Sequence, residues 1–193
     1  MSRRIDLDSL QTHAPTLTQA VADYFAEAAA VSLDRQNHLT GTQLAVECDT
    51  KSETVQVSWA SPVTNHTRNA HGDDQVRVGN GACAISLLVI SELEGLRAVR
   101  QSLKWNGVDY FLSPADQITT ADINNPLLFN YSAVVEISGI QEPRGTNTVD
   151  YRINKKVRRV EVYKQSSKHQ TVDITSYYSV VDFDQPRSKT VRK

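Results

Sequence analysis

The sequence predicts an α+β domain, and three observations carry that prediction. Hydrophobic residues make up 39% and charged residues 22% of the 193 residues, an ordinary globular composition for one domain. Apolar residues recur at helical spacing in three segments, while alternating or β-branched runs mark several strands. From residue 82 onward these elements follow the order helix, strand, strand, strand, helix, strand, so a hairpin interrupts any regular βαβ alternation.

The first dozen residues show no clear pattern. Leu17, Val21, Tyr24, Ala28 and Val31 then repeat at helical spacing behind Pro15, predicting an amphipathic helix over about 15–35. Two extended runs follow, Thr42 to Cys48 and Glu53 to Trp59. In the second, Val55, Val57 and Trp59 share one face, and Asp49–Ser52 forms the turn of a hairpin. Residues 61–80 are polar and turn-rich and read as a loop, with room for a short strand at 75–78. A helix runs from Ala82 to about Glu94, with Ile85, Leu88, Val89 and Leu93 on one face and Gly95 as its C-terminal cap.

A second hairpin comes next. Ala98 to Trp105 and Val108 to Leu112 flank Asn106-Gly107, the strongest two-residue hairpin turn signal. Residues 113–130, with Pro114, Asn124, Asn125 and Pro126, read as a loop. Tyr131 to Ile140 is an apolar, β-branched strand. Val149, Ile153, Val157 and Val160 mark a helix over about 147–164, capped by Thr146 or Asn147. Val172 to Phe183 is the final strand. The expected organisation is an extension over 1–80 packed on a core over 81–185, with a frayed basic tail at 186–193.

A formal net charge of −1 excludes a surface coated in positive charge for bulk nucleic-acid binding, though not a local basic patch. The longest apolar stretch, Ala82 to Ile90, is too short to span a bilayer. The N-terminal residues lack an apolar leader segment. Two cysteines exclude a disulfide scaffold and a four-cysteine zinc site. The expectation is a cytoplasmic protein with reduced thiols and no membrane partner.

Two carboxylates stand out within this frame. Asp109 follows the Asn-Gly turn, and Glu136 sits inside the otherwise apolar run AVVEISGI. A carboxylate is expensive to bury unless something pairs with it. A divalent cation is one such partner, since Mg²⁺ is held by one or two carboxylates together with substrate phosphate oxygens.

The order of elements and these acidic positions resemble the core of the PD-(D/E)XK phosphodiesterase superfamily, the restriction-endonuclease-like fold. The resemblance covers about residues 82–184. It implies a mixed sheet flanked by helices, with Asp109 as the motif aspartate and Glu136 as the first position of (D/E)-x-K. It further implies Mg²⁺ or Mn²⁺ held by these two side chains, with a carboxylate added from the preceding helix. Glu92 or Glu94 is available there, and Glu92 is the better placed, a turn from Leu88 and Val89. The motif lysine is absent, because its position is Ser138. In divergent members this lysine migrates to the next helix, where Lys155 or Lys156 would reach back toward Glu136. A metal-dependent nuclease or nuclease subunit acting on DNA, in a setting of genome defence or DNA processing, is the function this implies.

The composition of that second helix bears on the partner. Arg152, Lys155, Lys156, Arg158, Arg159, Lys164 and Lys168 face only Asp150 and Glu161 between 147 and 168. Arg152, Lys156 and Arg159 fall on one stripe that can follow a phosphate backbone. A chain this small has little room for a separate recognition domain, so a homodimer or a larger complex is expected.

Each signal also has a plainer reading. Asp109 suits a turn, Glu136 suits the solvent face of a strand, Glu92 and Glu94 suit a helix surface, and a basic helix suits solvent. The missing lysine leaves open a second function, a catalytically inactive nuclease-like module that binds a protein partner or nucleic acid within a complex. Gly79-Asn80-Gly81-Ala82-Cys83-Ala84 matches G-x-G-x-x-A, but no acidic residue ends the following strand, so a helix entry is the simpler account. His66, His71, Asp73 and Asp74 cluster without any zinc-like spacing.

Overall fold

The computed structural model describes residues 3–102, 108–119, 131–166 and 174–193, with side chains 159–166 left aside. The Asn106-Gly107 turn, the Asn124–Pro126 stretch, Lys168 and the start of the last expected strand lie outside the described residues.

Eight strands form one mixed sheet: β1 (Arg3–Asp6), β2 (Thr42–Cys48), β3 (Lys51–Ser58), β4 (Leu96–Gln101), β5 (Tyr110–Pro114), β6 (Ala133–Ile140), β7 (Thr175–Asp182) and β8 (Arg187–Arg192). Their order across the sheet is β1-β3-β2-β8-β7-β6-β5-β4. Among the described residues five α-helices join them: α1 (Leu10–His13), α2 (Gln19–Asp34), α3 (Asn65–Ala70), α4 (Asp74–Glu94) and α5 (Val149–Ser166). The chain is therefore α+β, a mixed sheet with helices on both faces. β4, β5 and β6 are successively antiparallel, β6 and β7 are parallel across the α5 crossover, and β2–β3 is the expected antiparallel hairpin.

Alternation along β6 sorts the two faces. Ala133, Val135 and Ile137 join the main core beneath α4, whereas Ile140 packs with Val149 and Ile153 of α5. α2 and α4 cover the first face together, and they meet closely. A Cβ on Gly81 would stand 2.9 Å from Ala29 Cα, so only glycine lets the two backbones approach. Gly139 of β6 is tighter, since its Cβ would lie 2.4 Å from the Val78 carbonyl of α4.

Several expectations change. α4 begins at Asp74 rather than Ala82, with the Asp73 side chain accepting from Val76 N at 3.0 Å. The segment Gly79–Ala84 thus lies within a helix and cannot be a phosphate loop, and 75–78 is not a strand. Its polar first turns disguised it, because Arg77 is buried there, bonded to His71 O, Asp74, Ser32 and Gln141. Gly95 does cap the helix, at φ 68° with its N–H on Ser91 O. In α2 the buried positions include Ala22, Phe25, Ala26, Ala29 and Leu33, while Val21 and Tyr24 are exposed. Leu17, Ala28 and Val31 of the expected stripe are buried as well, and five buried alanines turn the packed face away from Val21 and Tyr24 alone. Thr148, rather than Thr146 or Asn147, accepts from the first turn of α5, at 3.3 Å from Tyr151 N.

Both ends of the described chain are ordered into the sheet. β1 pairs in parallel with β3. β8, the expected frayed tail, lies between β2 and β7 and binds both. Its alternation of buried Ser188 and Thr190 with charged Arg187 and Lys189 hid a central strand, because the buried side chains are hydroxyls. Thr190 donates to Ser179, which donates to Ser86 of α4, at 2.9 and 2.8 Å. α4 is long and apolar enough to cross a membrane by length and composition, but two thirds of its apolar window is buried in this core.

On the other face Arg187 and Lys189 bind Glu47 and Asp150. A hydrogen bond from Lys189 leads in holding the Asp150 pKa below the ordinary value. Burial opposes ionisation of Glu47, yet its bonds from Arg187 and Lys189 prevail and lower its pKa as well. Lowered folded values stabilise above the unfolded carboxylate pKa, and that gain is lost as pH falls through the folded values. Glu47→Gln with Asp150→Asn should therefore reduce stability at pH 7 by about 1 kcal/mol or less, given the exposure of both groups. Urea titrations should show the difference from the unaltered chain vanishing below about pH 3.

Candidate active site

Asp109 stands immediately before β5, where the β5–β6 ladder begins. Its backbone N–H donates to Val135 O at 2.8 Å, and its side-chain Oδ2 accepts from Ile137 N at 2.6 Å. The carboxylate thereby occupies the edge of β6 that β5 leaves unpaired. Glu136 lies on the other face of β6 from Val135 and Ile137, toward α5. There Lys156 Nζ donates to Glu136 Oε1 at 2.7 Å, with both side chains largely buried.

Burial pushes the Asp109 carboxyl above the ordinary aspartate value; the Ile137 N–H and the Lys156 ammonium pull it down, and the Glu136 charge adds to the rise. The α4 residue near this carboxylate is Cys83. Burial raises its thiol to about 12, Asp109 reinforces the rise and Lys156 opposes it. Only the placement of α4 brings Cys83 beside Asp109.

The structure thus brings Asp109, Glu136 and Lys156 together. Lys155 lines the same small cavity as Lys156, but its Nζ lies 5.9 Å from the Tyr151 ring centre and makes no ion pair with Glu136 among the described residues. Ser138 follows Glu136 on the same face, and its buried Oγ has no hydrogen-bond partner among the described residues. Arg152 lines the same small cavity as Lys156, which has a volume of about 310 Å³. Its Nε donates to Asn147 Oδ1 and its Nη1 to Gly139 O, at 2.7 and 2.6 Å. Arg159 belongs to α5, and its side chain is outside the described residues.

Glu92 and Glu94 do not join this group. Glu92 lies 3.7 Å from His13, and Glu94 binds Lys51 at 2.7 Å and Tyr177 at 3.3 Å. Glu92 is nine positions beyond Cys83, about 13 Å along the helix axis at the usual rise. Extending α4 back to Asp74 explains the displacement, since its N-terminal half, not its end, meets the carboxyl half of β6. The loop cluster is structural too: His71 binds Glu27 at 2.8 Å, Asp73 caps α4, and Asp74 pairs with Arg77 and Arg35.

Among the described residues no three metal-ligating side chains converge. The two carboxylates nonetheless suit Mg²⁺, which takes one or two protein carboxylates and completes its shell with water and phosphate. Each keeps one oxygen, Asp109 Oδ1 and Glu136 Oε2, without a hydrogen bond among the described residues. Comparisons with family models, curated proteins and solved structures find no match.

Proposed function

We propose that the chain is a metal-dependent nuclease, or the nuclease subunit of a larger assembly, that hydrolyses phosphodiester bonds in DNA. The observation that carries this reading is the Lys156 ammonium at 2.7 Å from Glu136, with Asp109 beside the pair. A lysine from the helix after β6 offers the charge that Ser138 cannot. The succession α4, β4, β5, β6, α5, β7, with β6 and β7 parallel, supports the restriction-endonuclease-like reading of the core. The free thiols of Cys48 and Cys83 fit a reducing, cytoplasmic setting.

Asp109 and Glu136 would hold the Mg²⁺ or Mn²⁺, which when bound lowers the pKa of a water and withdraws charge from the phosphoryl group. The Ile137 N–H donates to Oδ2 and fixes the direction of the Asp109 carboxylate, leaving Oδ1 as the oxygen that would face the metal. Lys156 does two things: it compensates the charge of Glu136, and it offers an ammonium to the phosphate oxygens as negative charge builds in the transition state. Arg152, in the same small cavity, keeps Nη2 for a phosphate of the strand.

Calorimetry of Mg²⁺ and Mn²⁺ binding tests the reading. The unaltered chain should bind metal, and Asp109→Ala and Glu136→Ala should each reduce affinity by at least about tenfold, the effect of losing about 1.4 kcal/mol. Metal-dependent cleavage of DNA should disappear in both variants while circular dichroism stays unchanged. An unaltered chain that binds no metal, even with oligonucleotide present, would defeat the proposal and favour an inactive binding module.

A further inference from the structure

The glycines of the α4–β6 contact are not alike. Gly81 and Gly139 are required by close packing, as described above. Gly79 is not: a Cβ built there meets nothing within 4 Å. Glycine inside a helix is disfavoured relative to alanine, and no atom of the described residues accounts for it here. Gly79 instead lines an open cleft of about 680 Å³ between the N-terminal half of α4 and the start of α5, over the carboxyl end of β6. That is the position where α/β sheets commonly take ligands, and the volume falls in the range of about 300–1,000 Å³ for small-ligand clefts.

The cleft and the small cavity at Lys156 share Ser138, Asn147 and Arg152 as walls, so the two adjoin. Two unused groups stand at that junction among the described residues. Ser138 Oγ is buried without a partner, and Arg152 directs Nε and Nη1 to the protein but not Nη2. Cationic and hydroxyl groups at the inner end suit a phosphate and sugar. Gln75 farther along the wall offers amide hydrogen bonds. At the outer end Asp74 is paired with Arg77 and Glu142 with Arg144, and the second oxygens of the two carboxylates, Asp74 Oδ2 and Glu142 Oε1, suit the amino groups of a base.

We infer that this cleft receives one unpaired nucleotide of the substrate strand, next to the phosphate held at Lys156, so that the chain acts on single-stranded DNA or frayed ends. The missing side chain of Gly79 leaves room for that nucleotide against the helix backbone. The inference rests on the nuclease reading for the phosphate at Lys156, but its binding test does not need cleavage.

The test measures fluorescence anisotropy of a short labelled single-stranded oligonucleotide with the full chain in EDTA. Gly79→Leu should weaken binding about tenfold or more, a loss of about 1.4 kcal/mol. Gly79→Ala should weaken binding by a smaller factor, about threefold, and both variants should keep the circular dichroism of the unaltered chain. Should Gly79→Leu fail to fold, Gly79→Cys takes its place. Its thiol should react with iodoacetamide, and the single strand, but not blunt duplex, should slow that reaction. Unchanged binding by folded Gly79→Leu, no protection of Gly79→Cys, or duplex binding as tight as single-strand binding would overturn the inference. Mg²⁺-dependent cleavage without dependence on position 79 would overturn the cleft and leave the nuclease. Strand binding that depends on position 79, without any cleavage, would support the cleft and defeat the nuclease.

Discussion

Replacing Lys156 with methionine is expected to slow DNA cleavage by about 10²–10³-fold, the effect of deleting one preorganised donor at a developing negative charge. Methionine keeps the length and apolar stem of the side chain, so α5 can still pack against β7 while the ammonium is lost. Two carboxylates then face each other without their nearest cation, and the Asp109 pKa, already raised by burial and by Glu136, should rise further. Metal binding provides the second readout. With Lys156 gone, Glu136 is released to a cation, so calorimetry should show Mg²⁺ affinity retained or increased while cleavage collapses. A merely structural lysine would give the opposite pattern, with metal binding and folding lost together. Lys155→Met should slow cleavage less, by about tenfold or less, because Lys155 lines the same cavity but makes no ion pair with Glu136 among the described residues. Full activity in Lys156→Met would remove the residue from the mechanism.

Gly139→Val is expected to produce the largest stability loss, about 3 kcal/mol or more. The first added carbon would stand 2.4 Å from Val78 O and 2.7 Å from Val78 Cγ1. A carbonyl in a helix cannot swing aside as a flexible side-chain end can, so α4 must move off the sheet or β6 must bend. Either response also disturbs the site, since Gly139 O accepts from Arg152 and Glu136 lies three residues earlier on the strand. Alanine is enough to cause the clash, and Gly139→Ala should already lower the urea midpoint clearly. A near-unchanged midpoint for Gly139→Ala would mean that α4 and β6 do not approach as closely as described.

Much of the sheet was legible because its strands obey local rules. Val55 and Val57 alternate, AVVEISGI is β-branched and Gly95 closes a helix, and each appears where those rules put it. The misses share a cause. The first turns of α4 carry Arg77, buried but polar, and β8 buries Ser188 and Thr190 rather than valines. Hydrophobic patterning cannot register a buried arginine that finds four hydrogen-bond partners or a serine–threonine chain that satisfies itself. The site divides in the same way. Asp109 and Glu136 were noticeable because carboxylates are unusual in such surroundings. The choice between Lys155 and Lys156 depended on the rotation of α5 about its axis, which basic residues spread around that helix do not fix. The expected third carboxylate failed because its helix begins two turns earlier than its apolar residues do.

The position of β8 bears on how the chain reaches this structure. It is the last described strand to be synthesised, yet it is the only link in the sheet between β2 and β7. Until it arrives, the β1–β3–β2 ribbon and the β7–β6–β5–β4 segment each present an open row of backbone donors and acceptors toward the gap. Such edges recruit strands from other chains. The charges along β8, Arg187 and Lys189, pair with Glu47 of β2 and with Asp150 of α5 and so give this strand a recognisable place in the gap. They favour closure by the chain's own segment over pairing with a neighbour on a crowded ribosome.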